Sequence, residues 1–230
     1  MFEASHTGDY GDIIYACPLL KAMAKTRGPI TLYLVPDHRV RSPQTPQAVE
    51  WIRPLLERQT YIESVRFSPE MIGTDLTRWR NTHRDGENLA FDQLRDCGYH
   101  PSWSYYRWLD NERHSDGIGT IIARSPRYHN DKFPWRSLVN KHRAAQFVGL
   151  VTEWDMFCQQ FGRVEYLPVS NAADMADAIR NCRLFIGNQS LPYAIAEGLK
   201  VRTIQETFAA AADCVFPRAN AKYVIGDSVE

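Results

Sequence analysis

Several things are missing from this chain, and each absence excludes a class of protein. No apolar run approaches the ~20 residues of a membrane-spanning helix. The opening MFEASHTGDYGD is too polar for a signal peptide, so the expected compartment is the cytoplasm. There is no surplus of charge: 27 Lys and Arg balance 27 Asp and Glu. That argues against a general electrostatic grip on nucleic acid, while leaving room for a local basic groove. The five cysteines, Cys17, Cys97, Cys158, Cys182 and Cys214, are odd in number and contain no CxxC pair. A disulfide framework and a structural zinc site are both disfavoured, and a reducing compartment fits. The seven histidines show no HxxxH spacing, so no metal is expected. A Gly-x-Ser-x-Gly elbow and a Walker loop are absent, which disfavours hydrolase and P-loop readings.

What is present is an ordinary globular composition, 44% hydrophobic and 23% charged, in 230 residues. That length suits one large domain or two small ones and can bury a sizeable core. Six Trp and 11 Tyr supply rings enough to line a cleft as well as fill a core. A strand over Phe2–Ser5, a glycine turn, a helix over Ile13–Lys25 and a strand over Thr31–Val35 form one βαβ unit. A helix near Pro46–Leu56 and a strand near Tyr61–Phe67 follow. Thr74–Gly86 reads as loop or short helix, Glu87–Cys97 as helix, and Asn111–Asp116 as a polar linker. Strands are expected at Ile118–Ala123, Phe147–Leu150, Val164–Val169, Leu184–Ile186 and Val201–Ile204. Helices are expected at Thr152–Phe161, Asn171–Asn181 and Leu191–Leu199. Strands alternating with helices predict parallel sheets covered on both faces, with ligands bound beyond the carboxyl ends of the strands.

Three segments could carry chemistry. In Gly8-Asp9-Tyr10-Gly11-Asp12 the glycines allow a tight turn and close backbone approach, and the next helix aims its free N–H groups outward. The plainer reading is that Asp12 caps the helix and Gly11 makes the turn. In Arg124–Trp135 two arginines, Arg124 and Arg127, with His129 and Lys132 follow a strand, where they could grip a phosphate or form a solvated loop. In Phe185–Leu199 a buried strand ends at Asn188, Gln189 and Ser190 and a helix begins at once. Ser190 could cap that helix, or the helix N-terminus could hold a diphosphate. Glu197, seven residues on and on the same face, could accept hydrogen bonds from a ribose or be an ordinary exposed glutamate.

Taken in order, these segments resemble a known family. Gly11-Asp12 followed by Pro18 is similar to the GD-x5-P opening of the heptosyltransferase-like glycosyltransferases, family 9, of GT-B fold. Lys132-Phe133-Pro134-Trp135 is similar to their K-x-W-P region with the last two residues exchanged, and Gly187–Pro192 with Ala196 resembles their GNDSGPxHxA stretch. The resemblance implies two Rossmann-like lobes facing a cleft, residues 1–113 for the acceptor and 114–230 for the nucleotide-sugar donor, the first lobe reduced. It implies Asp12 as catalytic base, Lys132 neutralising the donor diphosphate and the Asn188–Ser190 turn helping to hold the donor. Glu197 resembles the ribose-binding glutamate of other GT-B enzymes. Gln189, Leu191 and Ala194 depart from the pattern, standing where the family has Asp, Gly and His.

The expectation is therefore an α/β, inverting, metal-independent glycosyltransferase whose only small-molecule requirement is its nucleotide-sugar. The acceptor would be a glycan or a hydroxymethylated DNA base. The alternative is a GT-B-like module that binds a nucleotide or sugar nucleotide without turnover; a third reading is a sugar-nucleotide epimerase of related fold.

Overall fold

The computed structural model describes residues 2–83, 86–111, 118–226 and 228–229. The chain divides into two compact units, Met1–Asp110 with Asn171–Ala173, and Asn111–Ser170 with Asp174–Glu230. The boundary expected after residue 113 falls outside the described residues.

In the first unit, β1 (Phe2–His6) leads through the glycine turn into α1 (Tyr10–Arg27), then β2 (Ile30–Leu34), α2 (Pro46–Leu56) and β3 (Ile62–Phe67). A two-residue strand β4 (Thr74–Asp75), a 3-10 turn at Arg78–Asn81, α3 (Leu89–Asp96) and a 3-10 turn at Pro101–Tyr105 complete it. The sheet is parallel with order β3-β2-β1-β4. β1 and β2 are buried along most of their length, as the apolar run of a central parallel strand requires. α1 starts three residues earlier than the periodicity suggests and runs through Pro18, ending at Gly28, whose φ of 77° is the left-handed stop. α2 starts with Thr45 as N-cap, its hydroxyl accepting from the Ala48 N–H, and Pro46 in the first turn.

In the second unit the order is β5 (Ile118–Ala123), α4 (Trp135–Lys141), β6 (Gln146–Phe147), α5 (Val151–Phe161), β7 (Glu165–Tyr166) and α6 (Ala172–Arg180). β8 (Cys182–Asn188), α7 (Leu191–Gly198), β9 (Thr203–Thr207), β10 (Ala221–Ile225) and β11 (Ser228–Val229) follow. The sheet runs β11-β10-β9-β8-β5-β6-β7, parallel except for the antiparallel β10–β11 pair. Leaving out β11, this is the Rossmann strand order, which reverses direction between β5 and β8. One face carries a core of Ile122, Trp135, Phe147, Phe157, Ile186 and Val224 packed under α4 and α5. At Gly187 a Cβ would lie 2.7 Å from the Ala123 carbonyl, so β8 approaches β5 at a distance only glycine permits. Among the described residues no helix is long and apolar enough to cross a membrane.

The α/β architecture with two parallel sheets is as expected. Three elements differ from the sequence reading. β4 sits inside the stretch read as loop, because two residues give no period. α4, with the polar sequence WRSLVNK, buries only Trp135 and Val139 and carries little apolar signal. The last strand of the sheet's parallel part is β10, beyond the expected Val201–Ile204.

Candidate functional site

Each sheet has one point where its strand order reverses, and the sequence-predicted residues other than Glu197 lie on the chain segments that leave these two points. In the first unit the reversal lies between β1 and β4. The chain leaving β1 carries Gly8 and Asp12, and the chain leaving β4 carries Arg80. The Arg80 guanidinium donates to Asp12 Oδ2 in a short ion pair across that point. The Asp12 side chain is 18% exposed and Arg80 33%. Gly8 has no room for anything larger: a Cβ there would sit 2.6 Å from His6, 2.7 Å from Asp12 and 2.9 Å from Arg80. Gly11, by contrast, faces open space.

The turn is held on every side. The Gly8 N–H donates to His6 Nδ1 at 2.9 Å, and Gln44 Nε2 donates to the Gly8 carbonyl at 2.9 Å. Gln93 of α3 donates to the Asp12 carbonyl at 3.1 Å. Arg80 stacks 4.9 Å from the Trp79 ring, and the segment carrying it is pinned by His83 Nδ1 to Asp92 Oδ2 at 2.6 Å. The reading of Asp12 as helix cap is corrected: Asp9 is the N-cap residue and Asp12 stands in the first turn. Asp9 does not cap with its side chain, because its Oδ1 accepts from the Ser42 N–H at 3.0 Å.

Two titrating groups at this point are perturbed. Burial pushes the Asp12 carboxyl above its ordinary range, and the Arg80 guanidinium pulls the other way. His6 is fully buried, and burial together with Arg80 lowers its pKa to about 3, with Gln93 opposing. His6 is therefore a neutral imidazole. Its Nδ1 accepts from Gly8, which leaves the proton on Nε2.

In the second unit the reversal lies between β5 and β8, and two buried polar side chains shape the loop that leaves β5. Asn188, fully buried at the end of β8, accepts from the Ser125 N–H at 2.9 Å and donates to the carbonyls of Ser125 and Arg127. Glu206, fully buried on β9, binds the other end of the loop. It accepts from Arg124 through both oxygens at 2.8 and 3.0 Å, from the Asn130 N–H at 2.9 Å and from Trp135 Nε1 at 2.9 Å. Between these anchors Tyr128 adopts φ of 57°, left-handed for a non-glycine residue. Such a conformation costs on the order of 1 kcal/mol and persists only where the surroundings fix it. Arg127 and Lys132 are exposed on this loop.

Not every predicted donor residue has a side chain that reaches outward. Glu197, expected either to meet a ligand or to be an ordinary exposed glutamate, is buried. It is 0% exposed, with Oε1 2.5 Å from Lys200 and Oε2 2.9 Å from Arg218, so both oxygens bond to the protein. Gln189 Nε2 donates to the Ala211 carbonyl and to Asp213, each at 2.6 Å, tying the turn to the chain beyond β9. Asn188 is a loop anchor for the reason just given. Ser190 is the N-cap residue of α7, but its hydroxyl donates to the Asn188 carbonyl at 3.0 Å, leaving the first-turn N–H groups uncapped by it.

The sequence reading missed Arg80, Gln93 and Glu206, and it named Arg124 as a phosphate candidate without its partner Glu206. Glu206 had little signal, because TIQET holds one apolar residue and its burial comes from its central place in the sheet. Arg80 had none, since it lies in a polar stretch without period. Among the described residues no group of three or more His, Cys, Asp or Glu is placed to hold a metal ion.

No family model and no curated protein sequence matches the chain. Solved structures do. The chain is similar to the E. coli heptosyltransferase WaaC with ADP, at 12% identity and a TM-score of 0.61, over 98% of this chain and 93% of that one. It is also similar to a family 9 glycosyl transferase from Veillonella parvula DSM 2008, at 12% identity and a TM-score of 0.58, over 96% and 86% of the two chains. A third match is E. coli ADP-heptose lps heptosyltransferase II, at 8% identity and a TM-score of 0.57, over 97% and 90%. At such identities the likeness is one of fold. The fold these matches define, running through both units, is that of the heptosyltransferase-type glycosyltransferases, the one the three motifs imply.

Proposed function

We propose that this protein is a glycosyltransferase that moves a sugar from a nucleotide-sugar to a hydroxyl, with inversion and without a metal. The observation that carries the reading is the setting of Asp12. Its carboxylate stands at the strand-order reversal of the first sheet, on a turn only Gly8 fits, beside Arg80 and partly sheltered from water. Shelter strengthens it as a base, and Arg80 keeps it ionised.

In the proposed reaction Asp12 takes the proton of the acceptor hydroxyl while that oxygen attacks the anomeric carbon. The bond from that carbon to the donor's diphosphate breaks, and the diphosphate leaves with the electron pair. Arg127, Lys132 and the α7 N-terminus, where Ser190 stands, neutralise the charge that develops on it. Asn188 and Glu206 act through the loop they shape rather than by touching the donor. The acceptor is a glycan or a hydroxymethylated DNA base; the balanced charge of the chain favours the glycan.

A second reading, a nucleotide-binding module without turnover, draws on one observation: Arg80 already occupies Asp12 Oδ2. The two readings share a donor site and differ in product. WaaC is solved with ADP, so ADP is the first ligand to test. A nucleoside diphosphate at a hundredfold excess over its dissociation constant should stabilise the protein by about 2.7 kcal/mol, and Lys132→Ala should weaken that effect. No stabilisation by any nucleotide would sink both readings. Stabilisation without release of nucleoside diphosphate from any nucleotide-sugar, across a panel of acceptors, would leave the binding module.

A further inference from the structure

The chain is neutral as a whole, yet the second unit separates its charges. At the amino-terminal ends of its central strands lies a groove of about 560 Å³. Register and alternation explain how it forms. Thr120 pairs Leu184 and Lys222 pairs Ile204, so these residues share one sheet face, and Arg202 joins them two residues from Ile204. It is the face that α4 covers further along, at Ile122 and Ile186. But α4 has only seven residues and ends at Lys141, so the first residues of the strands stay uncovered. The result is a floor of Leu184 and Ile204 ringed by Lys141, Arg202 and Lys222. All three cations are exposed, and none has a carboxylate partner among the described residues. Among the described residues no acidic side chain lines the groove. One wall is built: Thr120 Oγ1 and His142 Nδ1 lie 2.9 Å apart in a hydrogen bond.

Three cations around a small apolar floor match a ligand with concentrated negative charge and a carbon skeleton. One of them is an arginine, whose fork fits phosphate oxygens. The volume lies in the range of small-molecule sites. We propose that this groove binds a small phosphorylated molecule, its phosphates held by Lys141, Arg202 and Lys222 and its carbon part laid on Leu184 and Ile204. The site is separate from the donor site proposed above. Leu184 and Asn188, both on β8, are four residues and roughly 13 Å apart along the strand.

Calorimetric titration tests this with inorganic pyrophosphate, inorganic phosphate and phenyl phosphate as probes. Three proteins are compared: the unmodified chain, Arg202→Ser with Lys222→Ser, and Arg127→Ser with Lys132→Ser. All the substituted positions are exposed, and melting temperatures check that each variant folds. The unmodified chain should bind pyrophosphate, with a component that the groove variant weakens about a hundredfold, near tenfold per cation, and the loop variant leaves in place. Phenyl phosphate should bind that component several-fold more tightly than phosphate, through the apolar floor. The proposal is overturned if pyrophosphate does not bind, if the groove variant binds it as the unmodified chain does, or if the loop variant removes all binding. Equal affinity for phenyl phosphate and phosphate would overturn the role of the floor. Each result stands apart from the donor reading, which the nucleotide tests decide.

Discussion

The two strand-order reversals of this molecule solve the same topological problem with opposite placements of charge. At the first, the ionised groups themselves are drawn inward: Asp12 and Arg80 pair directly, and neutral His6 lies fully buried beneath Gly8. At the second, the buried charges Glu206 and Arg124 serve as anchors, and the cations Arg127 and Lys132 ride outside on the loop they hold. A sheltered carboxylate is suited to moving a proton. An exposed basic loop on a fixed frame is suited to meeting a phosphate. The comparison teaches that motif residues in equivalent topological positions need not do equivalent work. Asp12 of the first motif faces its turn, while Asn188 and Gln189 of the last motif tie the protein to itself.

The contrast can be broken at its strongest point first. Glu206→Gln leaves Arg124, only 10% exposed, without its counter-charge. Removing one partner of such a pair costs about 3–5 kcal/mol, which urea unfolding should register. A loss under 1 kcal/mol would mean that Glu206 is not the frame of the loop.

Gly8→Ala comes next. A Cβ there meets three side chains under 3.0 Å, so overpacking should cost about 1–3 kcal/mol. Gly11→Ala, facing open space within a helix, should be neutral or slightly stabilising. Equal effects at the two glycines would remove the distinction between a packed turn and an open one.

A further effect is a slope. His6 titrates near 3 in the folded protein against 6.5 in the unfolded chain. Between those values the unfolded state binds the additional proton, so stability should fall with falling pH by roughly 1.4 kcal/mol per unit from this group. His6→Asn, which keeps an acceptor for the Gly8 N–H, should flatten that slope whatever its effect at neutral pH. An unchanged slope from pH 6 to 4 would show that His6 is not held neutral.

Much of this molecule was legible in its sequence, for physical reasons. The buried parallel strands β2, β5 and β8 announce themselves as apolar runs, and α2 by its Thr45 cap and Pro46 start. The three motifs lie beyond strand ends, where sheets of this kind hold ligands. Less legible were the elements whose identity comes from partners distant in the chain. β4 is a strand only because β1 is beside it. Arg80 becomes a site residue only because β4 carries the chain back to Asp12, 68 residues away. The burial of Glu197 was not legible, because one of its two partners, Arg218, comes from a segment 21 residues away.

The central claim is that Asp12 is a base and not a structural carboxylate. The direct measurement is turnover and melting temperature on one pair of proteins, the unmodified chain and Asp12→Asn, with a nucleotide-sugar that the protein consumes. Asn keeps the shape and a hydrogen bond to Arg80 but cannot take a proton. The account predicts a folded protein that still binds nucleoside diphosphate and turns over roughly 10²–10⁴-fold more slowly. Unchanged turnover in a folded Asp12→Asn protein would contradict it.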